Sequence, residues 1–291
     1  MPELLVPQRM QLAKPAKRLL WLGQVPAYLT LGLWTLFLVF MVSWIVLASL
    51  STTRGIFTND LLGHGFHFEN YSKALGTLNM GRYLLNTLVY VCIALVLIVG
   101  VSAPASYILS RFEFRGRRLL TQMFVAGMGI PGVLLLIPLY TLFLRLRLDS
   151  NPLSLILVYV GISIPFTVFF LTGFFSTLPR EVQEAAAVDG CSDRQTFWRV
   201  MLPLAQPGIA TVTIFNFLGL WNEYFWALVL VNTPEQRTLS LGLQALLQDM
   251  RYSGDWAGLF AAVVIVVLPT IVFFVWQSER IIAGVTAGAV K

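Results

Sequence analysis

The sequence predicts an all-α integral membrane protein with six transmembrane helices and one folded polar loop between two of them. Hydrophobic residues make up 57% of the 291 residues and charged residues only 12%, whereas a soluble domain carries about 25% charged residues. The mean hydropathy is +0.76. No Asp, Glu, Lys or Arg occurs in six blocks, which lie at 19–53, 83–110, 119–144, 150–179, 200–222 and 256–278. Each block can hold the roughly 20 apolar residues that an α-helix needs to cross a bilayer.

The transmembrane helices are predicted near 26–50, 83–108, 119–144, 153–176, 207–231 and 256–278. Continuous apolar runs favour helices over the alternating strands of a membrane barrel. The first run exceeds the core of a signal peptide, which is about 7–15 residues, and therefore predicts an uncleaved anchor. Glycine and proline in the third run predict a distorted helix that lines a pathway, and they are Gly127, Gly129, Pro131, Gly132 and Pro138.

The distribution of basic residues predicts that both termini face the cytoplasm. With the N-terminus inside, thirteen of the 20 Lys and Arg residues fall on the cytoplasmic side, in agreement with the positive-inside rule. Arg145 and Arg147, on a short outer loop, run against it. This orientation gives a cytoplasmic tail at 1–25, a membrane domain at 26–278 and a cytoplasmic tail at 279–291. The net charge of +6 is mainly a topology signal and gives little reason to expect nucleic-acid binding.

Neither a metal site nor a catalytic site is predicted. The two histidines, His64 and His67, lie in one outer loop, and no third ligand accompanies them. Cys92 lies in the second span and Cys191 on the inner side, so the two thiols cannot easily meet. A membrane-embedded enzyme would need His, Asp or Glu clustered at helix ends, which makes that class weak.

The cytoplasmic loop at about 177–206, between the fourth and fifth spans, predicts a helix, a turn and a second helix. We call this segment the knuckle. Pro179 suits the first turn of a helix, and Glu181 and Glu184 complement the dipole near its start. Ala185, Ala186 and Ala187 are strong helix formers with little bulk, so another helix can approach them closely.

The second half of the knuckle is predicted from its turn chemistry. Gly190 ends the first helix, in the left-handed conformation. Ser192 and Gln195 form a capping box that opens the second helix, which carries Phe197 and ends at Leu202-Pro203. Two alternatives remain for residues 177–206: a surface that docks a partner, or a loop that lies on the membrane with aromatic anchors. A DNA-binding helix-turn-helix is improbable in a loop pinned at both ends to a membrane.

The motif Glu184-Ala185-Ala186, Gly190, Leu202-Pro203 resembles the EAA motif of ATP-binding-cassette (ABC) importer permeases. The resemblance implies the transmembrane domain of a type I importer, in which this loop fits a cleft on a separate ATPase subunit. By resemblance, Glu184 and Asp189 make polar contacts with the ATPase, Gly190 shapes the turn, and Phe197 makes an apolar contact. Ala185, Ala186, Leu202 and Pro203 complete the coupling set.

Further segments are similar to the carbohydrate-uptake branch of that family, in particular its maltose-type second permease. They are Arg111-Phe112-Glu113-Phe114-Arg115-Gly116, Ile164-Pro165-Phe166, Trp221-Asn222-Glu223-Tyr224 and the C-terminal stretch from Gly284. The resemblance implies that the tail, with Gly284, Thr286 and Gly288, reaches into the interface of the ATPase dimer. It also implies that Gln248-Asp249-Met250-Arg251-Tyr252 contacts the solute-binding protein, beyond a short helix predicted from the leucine spacing at 239–250.

Glu223 is the one acidic residue deep in an apolar span, which makes it a candidate for a transport pathway. The alternative is that Glu223 pairs with a polar group of a neighbouring helix and only holds the bundle together. Trp221 and Tyr224 offer aromatic surface for sugar rings, or they are simply packing or interfacial aromatics. Asn222 completes this candidate pathway set.

The function predicted from these observations is the permease subunit of a binding-protein-dependent ABC importer for a sugar or sugar derivative. No phosphate-binding Gly-x-x-x-x-Gly-Lys-Ser/Thr motif is present, so ATP and Mg²⁺ are expected on partner subunits. The expected partners are a second permease, two ATPase subunits, an extracytoplasmic solute-binding protein and the membrane lipid. Glycerol 3-phosphate is an alternative solute, and an ion-coupled carrier is an alternative class that Glu223 alone supports only thinly.

Overall fold

A computed structural model describes residues 17–61, 63, 65–149 and 151–289, with the side chains of 17–24, 251 and 278–289 outside the description. Helices and connecting turns, without any strand, make up this part of the chain. The α-helices are α1 (Lys17–Ser49), α2 (Thr53–Thr58), α3 (Glu69–Leu75), α4 (Met80–Arg111), α5 (Arg117–Met128), α6 (Leu136–Arg145), α7 (Pro152–Thr177), α8 (Arg180–Val188), α9 (Asp193–Thr196), α10 (Leu202–Leu204), α11 (Gln206–Trp221), α12 (Phe225–Leu230), α13 (Leu239–Ser253) and α14 (Trp256–Ala289). Short 3₁₀ turns lie at Gly132–Leu135 and Pro234–Gln236, and a π-helical turn lies at Phe197–Met201.

Four described helices are long and apolar enough to cross a membrane: α1, α4, α7 and α14. Two bent pairs also qualify when each is counted as one span. Arg117–Met128 with Gly132–Arg145 bends by 95°, and Asp193–Leu204 with Gln206–Trp221 bends by 70°. The described chain therefore has up to six spans. Five of them overlap the predicted spans closely, whereas the last bent pair begins at Asp193, within the knuckle, and only its second helix overlaps the fifth predicted span. The all-α membrane fold predicted from composition is confirmed.

The third predicted span is not a continuous helix. α5 ends at Met128, and Pro131 has an extended backbone with ψ of 120° before the 3₁₀ turn begins. Proline lacks an N–H donor and disfavours a helical conformation in the residue before it, here Ile130. The distortion predicted from the glycines and prolines of this run is confirmed. Residues 119–144 form two helices that meet at 95° instead of one straight helix.

The fifth predicted span, 207–231, is broken as well. α11 ends at Trp221 and α12 begins at Phe225. Glu223 thus lies in the break between two helices, and the prediction that it sits inside a continuous helix is wrong. By contrast, α4, α7 and α14 remain helical through Pro104, Pro165 and Pro269.

The centre of the described bundle is the pair of α4 and α7, which form its most extensive helix contact. Both helices carry large buried side chains, such as Ile98 on α4 and Tyr159 and Leu171 on α7. Much of the outer surface is apolar, and α1 exposes large side chains on all sides while it packs mainly on α14. A helix that is apolar all round suits a lipid environment.

The last helix extends beyond its predicted end near residue 278. Its backbone is helical up to Ala289, so most of the predicted tail at 279–291 continues α14. The side chains of Thr286 and its neighbours, with Gly284 and Gly288, belong to the part outside the description. Val290 and Lys291 lie outside it entirely.

Candidate functional site

The first arm of the knuckle is α8, and its end has the turn chemistry predicted from Gly190. Gly190 has φ of 80°, in the left-handed region that glycine adopts without penalty. The Gly190 N–H donates to the Ala187 carbonyl at 3.0 Å, and the Cys191 N–H donates to the Ala186 carbonyl at 3.0 Å. These two bonds are those of a Schellman motif. Pro179 stands at the N-cap rather than within the first turn.

The second arm begins with the predicted capping box. The Gln195 N–H donates to Ser192 Oγ at 3.4 Å, and the Ser192 N–H donates to Gln195 Oε1 at 2.9 Å. The helix continues to Leu204 and bends afterwards, one residue beyond the predicted end at Leu202-Pro203. In its π-helical turn, the Leu202 N–H donates to the carbonyl of Phe197, five residues earlier, instead of four as in an α-helix. This turn lies directly before Pro203, which has no N–H to donate.

The exposed surface of the knuckle differs in two places from the predicted coupling set. Glu184, Ala185, Asp189, Gly190 and Pro203 are exposed, and Leu202 is half-buried. Ala186 is only 5% exposed and therefore does not belong to the outer surface of the knuckle. Phe197 is also only 5% exposed and packs on Tyr107 with ring centroids 5.2 Å apart. Phe197 is therefore a residue of the permease core, and its predicted apolar contact with an ATPase is not available in this conformation.

Val188 is an exposed apolar residue that the sequence analysis did not single out. It is 87% exposed at the C-terminus of α8, directly before Asp189 and Gly190. Trp198, on the second arm, is also exposed. The sequence does show that Val188 lies on the side of α8 opposite Ala186, because the two residues are two positions apart in a helix. The spacing alone does not show which of the two sides faces outward.

A cleft of about 810 Å³ opens between α5, α6, α7 and α11. Most of its lining is apolar, and the polar side chains are Ser163, Asn216 and Glu223. The bent third span contributes Gly127, Met128, Ile130, Gly132, Leu135 and Leu139 to this lining. The broken span and the bend of 95° thus create the concave surface.

Glu223 has features of both roles that were considered for it, a pathway residue and a residue that holds the bundle together. One carboxylate oxygen accepts from the Trp226 N–H at 2.6 Å, and the other accepts from the Ala227 N–H at 3.2 Å. The Tyr159 hydroxyl, from α7, donates to the second oxygen at 3.0 Å. The carboxylate therefore caps the free N–H groups at the start of α12 and joins α12 to α7, and it also lines the cleft.

The remaining members of the pathway set do not line the cleft. Trp221 is 1% exposed, and its indole N–H donates to the Val266 carbonyl at 3.2 Å, which anchors α11 to α14. Asn222 is exposed, but its amide donates to the Leu218 carbonyl of its own helix at 2.8 Å. Tyr224 is half-buried and contacts Phe225. Asn216, which sequence reasoning missed, lies in the cleft and donates to Thr167 Oγ1 at 2.9 Å.

The helix predicted from the leucine spacing is present as α13. The segment 248–252 forms the last turns of this helix, and the prediction that it lies beyond the helix is wrong. Gln248 and Asp249 are exposed, Tyr252 is 93% exposed, and Met250 is buried against the bundle. Arg251 is outside the side-chain description. α13 packs on the first turns of α4 and the knuckle on its last turns, so these surfaces are separated by the length of a 32-residue helix, or about 48 Å.

Within the described residues, no group of three or more His, Cys, Asp or Glu side chains converges as a metal site would require. Comparison with known families gives the decisive finding. Residues 102–282, more than half of the chain, match the family described as the binding-protein-dependent transport system inner membrane component. The chain belongs to this family. It is a permease subunit of an ABC importer and not an enzyme, since in this family the ATPase is a separate subunit.

Several relatives of this permease are known. It is 37% identical over 260 residues to the diacetylchitobiose uptake system permease protein NgcG of Streptomyces coelicolor, covering 89% of this chain and 86% of the relative. It is 30% identical over 250 residues to the sulfoquinovosyl glycerol transport system permease protein SmoH of Agrobacterium fabrum, covering 85% and 87%.

The fold of the permease is also found in a solved structure. A bacterial ABC transporter involved in the import of the acidic polysaccharide alginate matches with a TM-score of 0.78, over 91% of this chain and 98% of the other, at 24% identity. This similarity supports the assignment of the described helices to an importer transmembrane fold.

Proposed function

We propose that this permease subunit imports a sugar or sugar derivative and that the knuckle couples it to its ATPase. The observation that carries the coupling proposal is the exposed surface of α8 and its turn, where Ala185, Val188 and Gly190 leave a shallow face with an apolar tip. A polar, capped and folded loop with such a face suits docking in a groove better than lying in a membrane interface. Glu184 and Asp189 supply the polar contacts around it.

The remaining components follow from the family. A second permease closes the bundle, two ATPase subunits hold ATP and Mg²⁺, and an extracytoplasmic protein delivers the solute. Both termini and the knuckle face the cytoplasm, while α13 with Gln248, Asp249 and Tyr252 faces the solute-binding protein. ATP binding closes the ATPase dimer, the knuckle moves, and the cleft alternates between the two sides of the membrane.

Two observations support a sugar as the solute. The relatives NgcG and SmoH carry the names of saccharide or glycoside uptake systems. The cleft also combines apolar walls, including the rings of Phe166 and Phe215, with the polar groups of Asn216 and Glu223, a combination that suits the apolar faces and hydroxyl groups of a sugar ring. Oligosaccharides of the maltose or trehalose type and glycerol 3-phosphate are the solutes to compare.

The coupling proposal is tested by purifying the complex through a tag on the permease. Val188→Asp should lower the amount of co-purified ATPase at least tenfold while the amount of permease in the membrane stays the same. The reason is that a charge buried at the interface disrupts an apolar contact. Tyr252→Asp is the matched control, since it places the same charge on an exposed residue of α13. α13 lies near the end of α4 that is opposite the knuckle. Tyr252→Asp should retain the ATPase and reduce stimulation by the solute-binding protein. Equal ATPase recovery from Val188→Asp and the unmodified permease would reject docking by this surface.

The solute class is tested by ATPase activity of the complex in liposomes. The solute-binding protein is added with diacetylchitobiose, maltose, trehalose or glycerol 3-phosphate, each in turn. Stimulation by a saccharide supports the proposal. Stimulation by glycerol 3-phosphate alone would replace the sugar with that alternative.

A further inference from the structure

The inner end of α4 contacts both arms of the knuckle, through two residues one helical turn apart. Arg111 is the last residue of α4 and Tyr107 lies four residues before it, so their side chains share one face of the helix. Neither residue belongs to the coupling surface described above, because Tyr107 is buried and Arg111 is half-buried against the end of α7.

Arg111 contacts the point where the chain leaves α7 for the first arm. Its Nη2 donates to the Phe175 carbonyl and to the Leu178 carbonyl, each at 2.6 Å. Leu178 is the C-cap of α7, two residues before α8 begins. The Phe175 carbonyl also accepts from the Leu178 N–H at 3.3 Å, so the guanidinium adds a second donor there. At the C-terminus of α7 its positive charge also complements the helix dipole. These charge-assisted bonds therefore fix the start of the first arm to the end of α4.

Tyr107 contacts the second arm. Its buried ring lies 5.2 Å from Phe197, the first residue of the π-helical turn, and 5.8 Å from Phe175, with Phe112 on another side at 5.6 Å. Distances of this size are those of favourable aromatic pairs. The hydroxyl of Tyr107 is buried and has no hydrogen-bond partner among the described residues, so the ring and not the hydroxyl makes the connection.

The two contacts join the knuckle to α4, which packs on α7, and to the end of α7, which lines the cleft. α7, which Arg111 holds at its end, contributes Val158, Gly161 and Pro165 to the cleft lining, and α4 packs along the length of α7. From this geometry we infer that Arg111 and the ring of Tyr107 are positioning residues that clamp both arms of the knuckle to α4. Movement of the knuckle is thereby transmitted to α4 and α7 together. This inference rests on the proposed docking of an ATPase on the knuckle.

The experiment reads the cleft directly and needs no identified solute. Gly161 lies on α7, is exposed in the cleft and has no atom within 4 Å of an added Cβ, so Gly161→Cys is a suitable reporter in a chain with Cys92→Ser and Cys191→Ser. The labelling rate by a membrane-impermeant maleimide is measured for the whole complex in liposomes, without nucleotide and after trapping with ATP and orthovanadate. The amounts of co-purified ATPase and of trapped nucleotide are measured on the same samples.

The unmodified clamp should give at least a tenfold change in labelling rate upon trapping. Arg111→Ala and Tyr107→Ala should reduce that change to less than twofold while trapped nucleotide stays within twofold of normal, since the exposed face of the knuckle is unaltered. Tyr107→Phe keeps the ring, and Arg115→Ala removes an exposed charge from the adjacent turn, so both should respond normally. Should Arg111→Ala fail to assemble, Phe197→Leu tests the same clamp from the second arm and should also abolish the response.

The outcomes separate this inference from the proposed function. A full labelling response in Arg111→Ala and Tyr107→Ala, with Val188→Asp still releasing the ATPase, would overturn the clamp alone. A permease from which Val188→Asp releases no ATPase would overturn the proposed docking, and the clamp with it. Loss of response in Tyr107→Phe would contradict the assignment of the contact to the ring.

Discussion

The capping of α12 by Glu223 gives a prediction whose size follows from three hydrogen bonds. Glu223→Ala removes the acceptor for the N–H groups of Trp226 and Ala227 and for the Tyr159 hydroxyl. Loss of a helix cap costs about 1 kcal/mol, and loss of a hydrogen bond to a charged group costs roughly 1.5–3 kcal/mol. Glu223→Ala should therefore lower the free energy of unfolding by about 2–4 kcal/mol.

A double-mutant cycle with Tyr159→Phe isolates the contact between helices. Tyr159→Phe removes one of the three donors, and its effect should largely disappear in the Glu223→Ala background, giving a coupling energy of about 1–2 kcal/mol. The assay is reversible unfolding of the purified permease in mixed detergent micelles of increasing SDS content. Asn222→Ala is the control, because the Asn222 amide bonds only within its own helix, and its effect should stay within about 0.5 kcal/mol. Additive effects of Glu223→Ala and Tyr159→Phe would refute the interhelical bond.

Three further predictions concern local geometry. Gly190→Ala should cost about 1–2 kcal/mol at the turn, because a Cβ disfavours the left-handed conformation although the space is open; amide exchange at Cys191 should then accelerate roughly 5–30-fold, and unchanged exchange would contradict the Schellman motif. Ser192→Ala should destabilise the second arm by about 1 kcal/mol, measured as faster amide exchange at Gln195. Unchanged exchange there would show that the Ser192 hydroxyl does not protect the Gln195 N–H. Thr167→Val should leave the buried amide of Asn216 without its acceptor and cost roughly 1–3 kcal/mol in the same SDS titration; a neutral result would show that this bond does not contribute.

Local turn chemistry could be predicted from the sequence because it depends on few neighbours. Gly190, Ser192 and Gln195 form the turn and capping box that their types and spacing indicate. The four long apolar helices likewise lie in four of the six apolar blocks. A left-handed glycine and a capping box are determined by groups within about six residues, so no tertiary contact was needed to infer them.

The direction in which side chains face could not be predicted in the same way. Phe197 turns inward because Tyr107, ninety residues earlier in the chain, provides its contact, and the π-helical turn shifts the residues that follow onto another face. Trp221 is buried against α14 because its partner, the Val266 carbonyl, is also distant in the chain. The break at Glu223 was hidden by an apolar run that reads as one span, although an acidic residue shortly before Trp226 and Ala227 is a typical helix-start signal.

The measurement that tests the central claim most directly is uptake into liposomes that contain the complete complex and an excess of the loaded solute-binding protein. Radiolabelled diacetylchitobiose, maltose, trehalose and glycerol 3-phosphate are supplied in turn, and uptake is energised either by ATP on the ATPase side or by a proton or sodium gradient without nucleotide. The account predicts ATP-dependent uptake of a saccharide that Val188→Asp abolishes. Gradient-driven uptake that persists without any ATPase subunit would contradict it.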